Sequence, residues 1–188
     1  MSPKDLPNTL AALFGDAVQA LSPGSYQVET EGFRLLVLLS ETQDWLRVLI
    51  PIAPAGEALP FLEEILEANF DHTQENRYAI AQELLWGVFQ QGMGALTPES
   101  LTQAIERLVV LHQQGINEAF RMFTEKRVRE IIRVAKRQGQ TLESTMQTLS
   151  RFYEEGVMGD VGDSSDERSV SLEAWRYQME KLWDEVDP

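Results

Sequence analysis

The run Phe33-Arg34-Leu35-Leu36-Val37-Leu38-Leu39-Ser40 constrains this chain more than any other stretch. It is dominated by Leu and Val and bounded by Gly32 and by Glu41-Thr42-Gln43-Asp44. It is far shorter than the roughly 20 apolar residues a membrane helix needs. As a strand it sends Phe33, Leu35, Val37 and Leu39 to one face and Arg34, Leu36, Leu38 and Ser40 to the other. Both faces are largely apolar, so both need cover. The chain's own helices can supply one cover. The other calls for a further helix, the C-terminal tail or a second copy of the protein, and a homodimer is the expected means.

The flanking segments set the architecture. Leu6, Leu10, Leu13, Phe14 and Ala17 recur at helical spacing, which predicts a helix from Asp5 to Leu21, stopped by Ser22-Pro23-Gly24. Tyr26, Val28 and Thr30 alternate with polar residues as a half-buried strand. Trp45 to Ile52 gives the third strand, ended by Pro51, Pro54 and Gly56. The short turns between these strands imply antiparallel neighbours. A second helix is predicted from Pro60 to Asn69, with Phe61, Leu62, Ile65, Leu66 and Phe70 as its apolar face. Two strands follow near Arg77 to Ala81 and Leu84 to Gln90. Thr97-Pro98-Glu99 then opens a helix with a hydroxyl cap, a first-turn proline and a carboxylate against the dipole. Helical residues persist to Gln138, and a break near Gly115 keeps the domain compact. The reading is α+β: an antiparallel sheet in the order helix, three strands, helix, two strands, helix, with a helical C-terminal extension.

Beyond 1–114, the chain divides into a helical extension with a basic face (115–155), an acidic flexible linker (156–170) and an amphipathic C-terminal helix (171–188). Charge is placed unevenly within a net −14. Arg121 to Arg137 holds seven basic residues against two acidic, whereas Glu154 to Pro188 holds eleven acidic against three basic. Such an acidic total argues against nucleic acid as a general partner, because phosphate binding needs clustered positive charge.

The order of elements resembles the fold of the type III secretion chaperones and of the YbjN-type bacterial proteins. Its local carriers are Ile65-Leu66-Glu67-Ala68-Asn69-Phe70, then Arg77-Tyr78-Ala79-Ile80 after a polar loop, then Thr97-Pro98-Glu99-Ser100-Leu101. It covers Asp5 to Gln114. The resemblance implies a non-enzymatic protein that binds other proteins, often as a homodimer, holding an extended segment along apolar grooves. Residues 115–188 have no counterpart in that pattern.

Catalytic chemistry finds little footing. The chain has no cysteine, so no thiol nucleophile, thiolate metal site or disulfide is available. His72 and His112 have no second ligand at metal spacing. Gly92-Met93-Gly94 lacks both the third glycine of a dinucleotide turn, where Thr97 stands, and the lysine of a phosphate loop, where Leu96 stands. No catalytic residue, cofactor or metal is expected. No apolar segment is long enough to span a membrane and the start lacks a signal-peptide pattern, so a cytoplasmic protein is expected.

Two stripes remain as candidate partner-binding surfaces. At 100° per residue, Lys126, Arg129, Arg133 and Arg137 share one side of a helix, opposite Val128, Ile131, Ile132 and Ala135. Leu172, Trp175, Met179, Leu182, Trp183 and Val186 form the other stripe. The basic side is a solvated surface, a seat for an acidic partner or the chain's own acidic tail, or an RNA or anionic-membrane contact. The second stripe docks in the same chain, on a dimer mate or in a groove of a foreign protein. The favoured role is protein binding through apolar sheet and helix grooves. The alternatives are binding of RNA or an anionic surface by the basic helix, or an enzyme with a dispersed site.

Overall fold

The computed structural model describes residues 1–154 and 165–188. In chain order the elements are α1 (Leu6–Phe14), β1 (Val18–Ser22), β2 (Ser25–Glu29), β3 (Arg34–Leu39), β4 (Trp45–Pro54), α2 (Ala55–Ala58), α3 (Leu62–Asp71), β5 (Asn76–Ala81), β6 (Leu84–Gly92), α4 (Pro98–Gln114), α5 (Asn117–Arg137), α6 (Leu142–Glu154) and α7 (Ser165–Leu182). The chain splits into two compact units, Met1–Phe120 and Arg121–Pro188.

The first unit is an α+β fold on one antiparallel sheet ordered β1-β2-β3-β4-β6-β5. The alternation of the central run sets its faces: Val37 stands opposite Val48, which stands opposite Phe89, while Leu36 stands opposite Leu49, which stands opposite Val88. The first row belongs to the core, where Leu6 and Leu10 of α1 and Leu101, Ile105 and Leu108 of α4 pack onto it. A smaller cluster on the same side joins Ala58 and Ile65 to Leu85, with Tyr78 half-buried beside them. Helix α4 starts as its sequence predicts. Thr97 Oγ1 accepts from the Ser100 N–H (3.1 Å) and Ser100 Oγ accepts from the Thr97 N–H (3.0 Å), with Pro98 in the first turn. Gly115, at φ +58°, ends it, so the predicted break is present.

Three boundaries differ from the sequence expectation. The first helix stops at Phe14, and Val18–Ser22 forms an edge strand on β2, making four strands before α2 instead of three. Gly15, at φ +55°, ends the helix, and Ala17, which continued the helical spacing, belongs to the 3-10 turn that follows. Strand β4 passes through Pro51 to Pro54, because its register shifts between Pro51 and Ala53 and accommodates a residue without an N–H. The second helix proper begins at Leu62, after the short α2 and a 3-10 turn at Leu59–Phe61. Of its expected apolar face, Ile65 is buried, whereas Leu66 and Phe70 are 64% and 91% exposed.

The second unit is helical. Val128 and Ile132 of α5, Met146 and Leu149 of α6, and Met179, Leu182 and Val186 of the C-terminal segment form its core. The predicted linker, 156–170, lies outside the described residues up to position 164. Its last residues are helical, since α7 opens at Ser165.

Candidate protein-binding surfaces

The sheet face turned away from α1, α3 and α4 is the first surface. Leu36 and Leu38 of β3, Leu49 of β4 and Val88 of β6 lie on it, and none belongs to the clusters under the helices. The three leucines are half-buried, and Val88 is buried at 5% exposed. Polar groups bracket this strip. Arg47 donates to Gln90 Oε1 through Nη2 (3.0 Å) and Nε (3.2 Å), and Arg77 Nη2 donates to the same oxygen at 3.1 Å. The Arg47 guanidinium also sits 4.9 Å from the Trp45 ring centroid. The strip is therefore apolar along its middle and fixed in shape by a hydrogen-bonded lattice at one side.

A pocket of about 410 Å³ in the same unit is lined by His72, Tyr78, Arg107, Val110, Leu111 and Glu118, among others. Burial, followed by the Glu118 charge, pushes the Tyr78 phenol above its ordinary value. Arg107 forms an ion pair with Glu75. His112 lies elsewhere, its Nδ1–H donating to the Pro51 carbonyl at 2.6 Å, which ties the end of α4 to β4. Among the described residues no group of three His, Cys, Asp or Glu side chains is arranged to hold a metal.

In the second unit, part of the basic stripe and most of the C-terminal stripe meet. Arg129 Nη2 pairs with Glu185 at 2.6 Å and with Glu125 at 3.0 Å, and hydrogen bonds to these two carboxylates, Glu185 first, raise its pKa. Met179 and Leu182 are 0% and 2% exposed, while Leu172, Trp175 and Trp183 are half-buried. Lys136, absent from the sequence-derived stripe, donates to the Val186 carbonyl at 2.8 Å and lies 5.6 Å from the Trp183 ring centroid. Arg176 of α7 pairs with Glu143 of α6 at 3.1 Å. The seven-residue spacing from Arg129 to Lys136 is a signal that could have found the missed lysine. Arg133 and Arg137 are exposed and outside this contact, and Lys126 is half-buried.

No helix among the described residues is long and apolar enough to cross a membrane. No protein-family profile matches the chain, and no curated protein does. Solved structures do show similarity. A chain of the heterodimeric ExoU–SpcU complex from the type III secretion system of Pseudomonas aeruginosa is 17% identical, covering 59% of this chain and 94% of its own length, at TM-score 0.48. A chain from the Yersinia pestis type III secretion chaperone SycH in complex with a stable fragment of YscM2 is 14% identical, covering 60% and 98%, at TM-score 0.48. A chain of the ExsC–ExsE complex is 12% identical, covering 61% and 95%, at TM-score 0.49.

Proposed function

We propose that this chain is a non-enzymatic, chaperone-like protein that holds an extended apolar segment of another protein against the open face of its sheet. One observation carries the reading: the half-buried Leu36, Leu38 and Leu49 form an apolar strip outside both helix-covered clusters of their unit. An apolar strip of this kind on a rigid sheet favours contact with partner side chains without prescribing their order. The resemblance to YbjN-type proteins and type III secretion chaperones, read from residues 5–114, implies the same class of activity. We place the protein in the cytoplasm, as a homodimer when no client is bound.

The experiment is suppression of aggregation of a chemically denatured model protein, followed by light scattering. The full chain is expected to suppress it at near-stoichiometric ratio, and the double variant Leu36→Asp/Leu49→Asp to lose that effect with its circular dichroism spectrum unchanged. Failure of the unaltered chain to suppress, or full suppression by the variant, overturns the reading.

The pocket beside Tyr78 favours a second reading, a small-molecule site. Against it, Arg107 is already held by Glu75, and the Tyr78 phenol is shifted away from ionisation. An RNA-binding role for the basic helix is weakened because Arg129 and Lys136 are engaged by the C-terminal segment.

A further inference from the structure

Helix α5 has two apolar flanks, and the C-terminal segment takes one of them. On that flank Val128 and Ile132 meet Met179, Leu182 and Val186, while Arg129 and Lys136 meet Glu185 and the Val186 carbonyl. This is an acidic amphipathic segment seated on an apolar floor beside cations. The other flank repeats the same ingredients. A groove of about 590 Å³ runs between α5 and α6, lined by Ile131, Val134, Ala135, Leu149 and Phe152. Val134 and Phe152 are 48% and 38% exposed, large values for apolar side chains lining one cleft.

Cations border this groove on both helices. Arg127 lines it, pairs with Glu130 at 3.5 Å and covers the Phe123 ring at 5.2 Å. At 100° per residue, Arg137 stands next to Glu130 and Val134 on α5, at the rim of the groove, whereas Arg133 points further round the helix. Arg151 stands beside Thr148 on α6 by the same spacing. Both Arg137 and Arg151 are exposed, and among the described residues neither has an ion-pair partner. Among the described residues Glu130 is the one acidic side chain lining the groove, and Arg127 already engages it.

We propose that this groove binds an acidic amphipathic helix of a partner protein. The lining along α5 and its end runs from Arg127 to Gln138, about 16 Å at 1.5 Å per residue, which accommodates about three helical turns. Apolar anchors at i, i+3 or i+4, and i+7 of the guest fit Ile131, Val134, Leu149 and Phe152. Its flanking carboxylates meet Arg137 and Arg151, which orient it and speed encounter. A second copy of this chain is a poorer guest, because its own acidic helix has Met179 and Leu182 sunk in its own core. Nucleic acid is poorer still, since Val134 and Leu149 offer nothing to a phosphate backbone. This site lies in the second unit and does not depend on the sheet-face reading.

The test uses the full chain and a fluorescein-labelled synthetic helix of about 14 residues, with leucines at i, i+3 and i+7 and glutamates beside them. Anisotropy should show saturable micromolar binding that weakens as salt rises. Val134→Asp or Phe152→Asp, both at exposed positions, should weaken it by about tenfold or more, and Arg137→Glu/Arg151→Glu by about five- to tenfold. A peptide with lysines in place of the glutamates should bind at least about tenfold more weakly. Leu36→Asp/Leu49→Asp should leave peptide binding unchanged, which separates this site from the sheet face. Equal binding of the acidic and basic peptides overturns the proposal, as does unchanged affinity in the groove or arginine variants with their fold retained. A dimer in light scattering that Val134→Asp converts to monomer also overturns it, by assigning the groove to a second copy.

Discussion

A Cβ added at Gly87 would lie 2.9 Å from Ile50 Cγ2 and 3.1 Å from Leu108 Cδ2. The missing side chain lets α4 settle against the middle of β6, where Gly87 stands opposite Ile50 of β4. Alanine has the better strand propensity, but both contacts are tighter than ordinary packing, and overpacking a well-filled core costs about 1–3 kcal/mol. Gly87→Ala is therefore expected to lower the urea midpoint at an unchanged slope, whereas a rise in the midpoint would show that the contact yields. Nothing in the sequence marks this glycine as different from the turn glycines around it. Phe70 is the opposite case. Helical spacing correctly grouped it with Leu66 and Ile65, yet spacing fixes a stripe and not the edge of it that meets the sheet. Ile65 took the buried place, and Leu66 and Phe70 were left in solvent.

At the scale of elements, α4 was fully legible because its start and stop depend on local chemistry: a hydroxyl cap, a first-turn proline and a closing glycine. Strand β1 was not. Its burial is partial and its partner β2 lies across a turn, so pairing and not local pattern decides its conformation. The meeting of the C-terminal stripe with α5 was foreseeable from charge and aromatic content, but not which cations would take part. The apolar contacts should dominate it. Met179→Ala is expected to cost about 2–5 kcal/mol, against about 0.2–1 kcal/mol for an exposed ion pair. In a chain carrying Trp45→Phe and Trp86→Phe, so that Trp175 and Trp183 report alone, Arg129→Glu/Lys136→Glu should move emission to the red. Trypsin should then cut faster at Arg176 and Lys181. Unchanged emission and cleavage would mean that the cations do not hold this helix.

Across the whole molecule, placing α1, α3 and α4 on one side of the sheet leaves the problem posed by residues 33–40 only half solved within their unit. The alternation of that run was enough to expect a second face in need of cover, but not to identify the cover, because a helix, the C-terminal tail and a second copy all fit the same pattern. With a second copy as cover, light scattering at micromolar concentration should give about twice the chain mass of 21.3 kDa. Leu36→Asp/Leu49→Asp should return it to a monomer. A monomer at all concentrations would leave the strip to clients alone. The seating of Met179 and Leu182 on α5 has a further consequence, in time. At about 5–20 residues per second, a ribosome that has finished α5 works for roughly 2–9 s before it has added both Met179 and Leu182, which help close the cluster around Val128 and Ile132. Once α5 has left the ribosome and until Met179 and Leu182 follow it, the nascent helix presents a cationic, oily ridge without its lid, so the order of translation makes this ridge a surface before it becomes an interior.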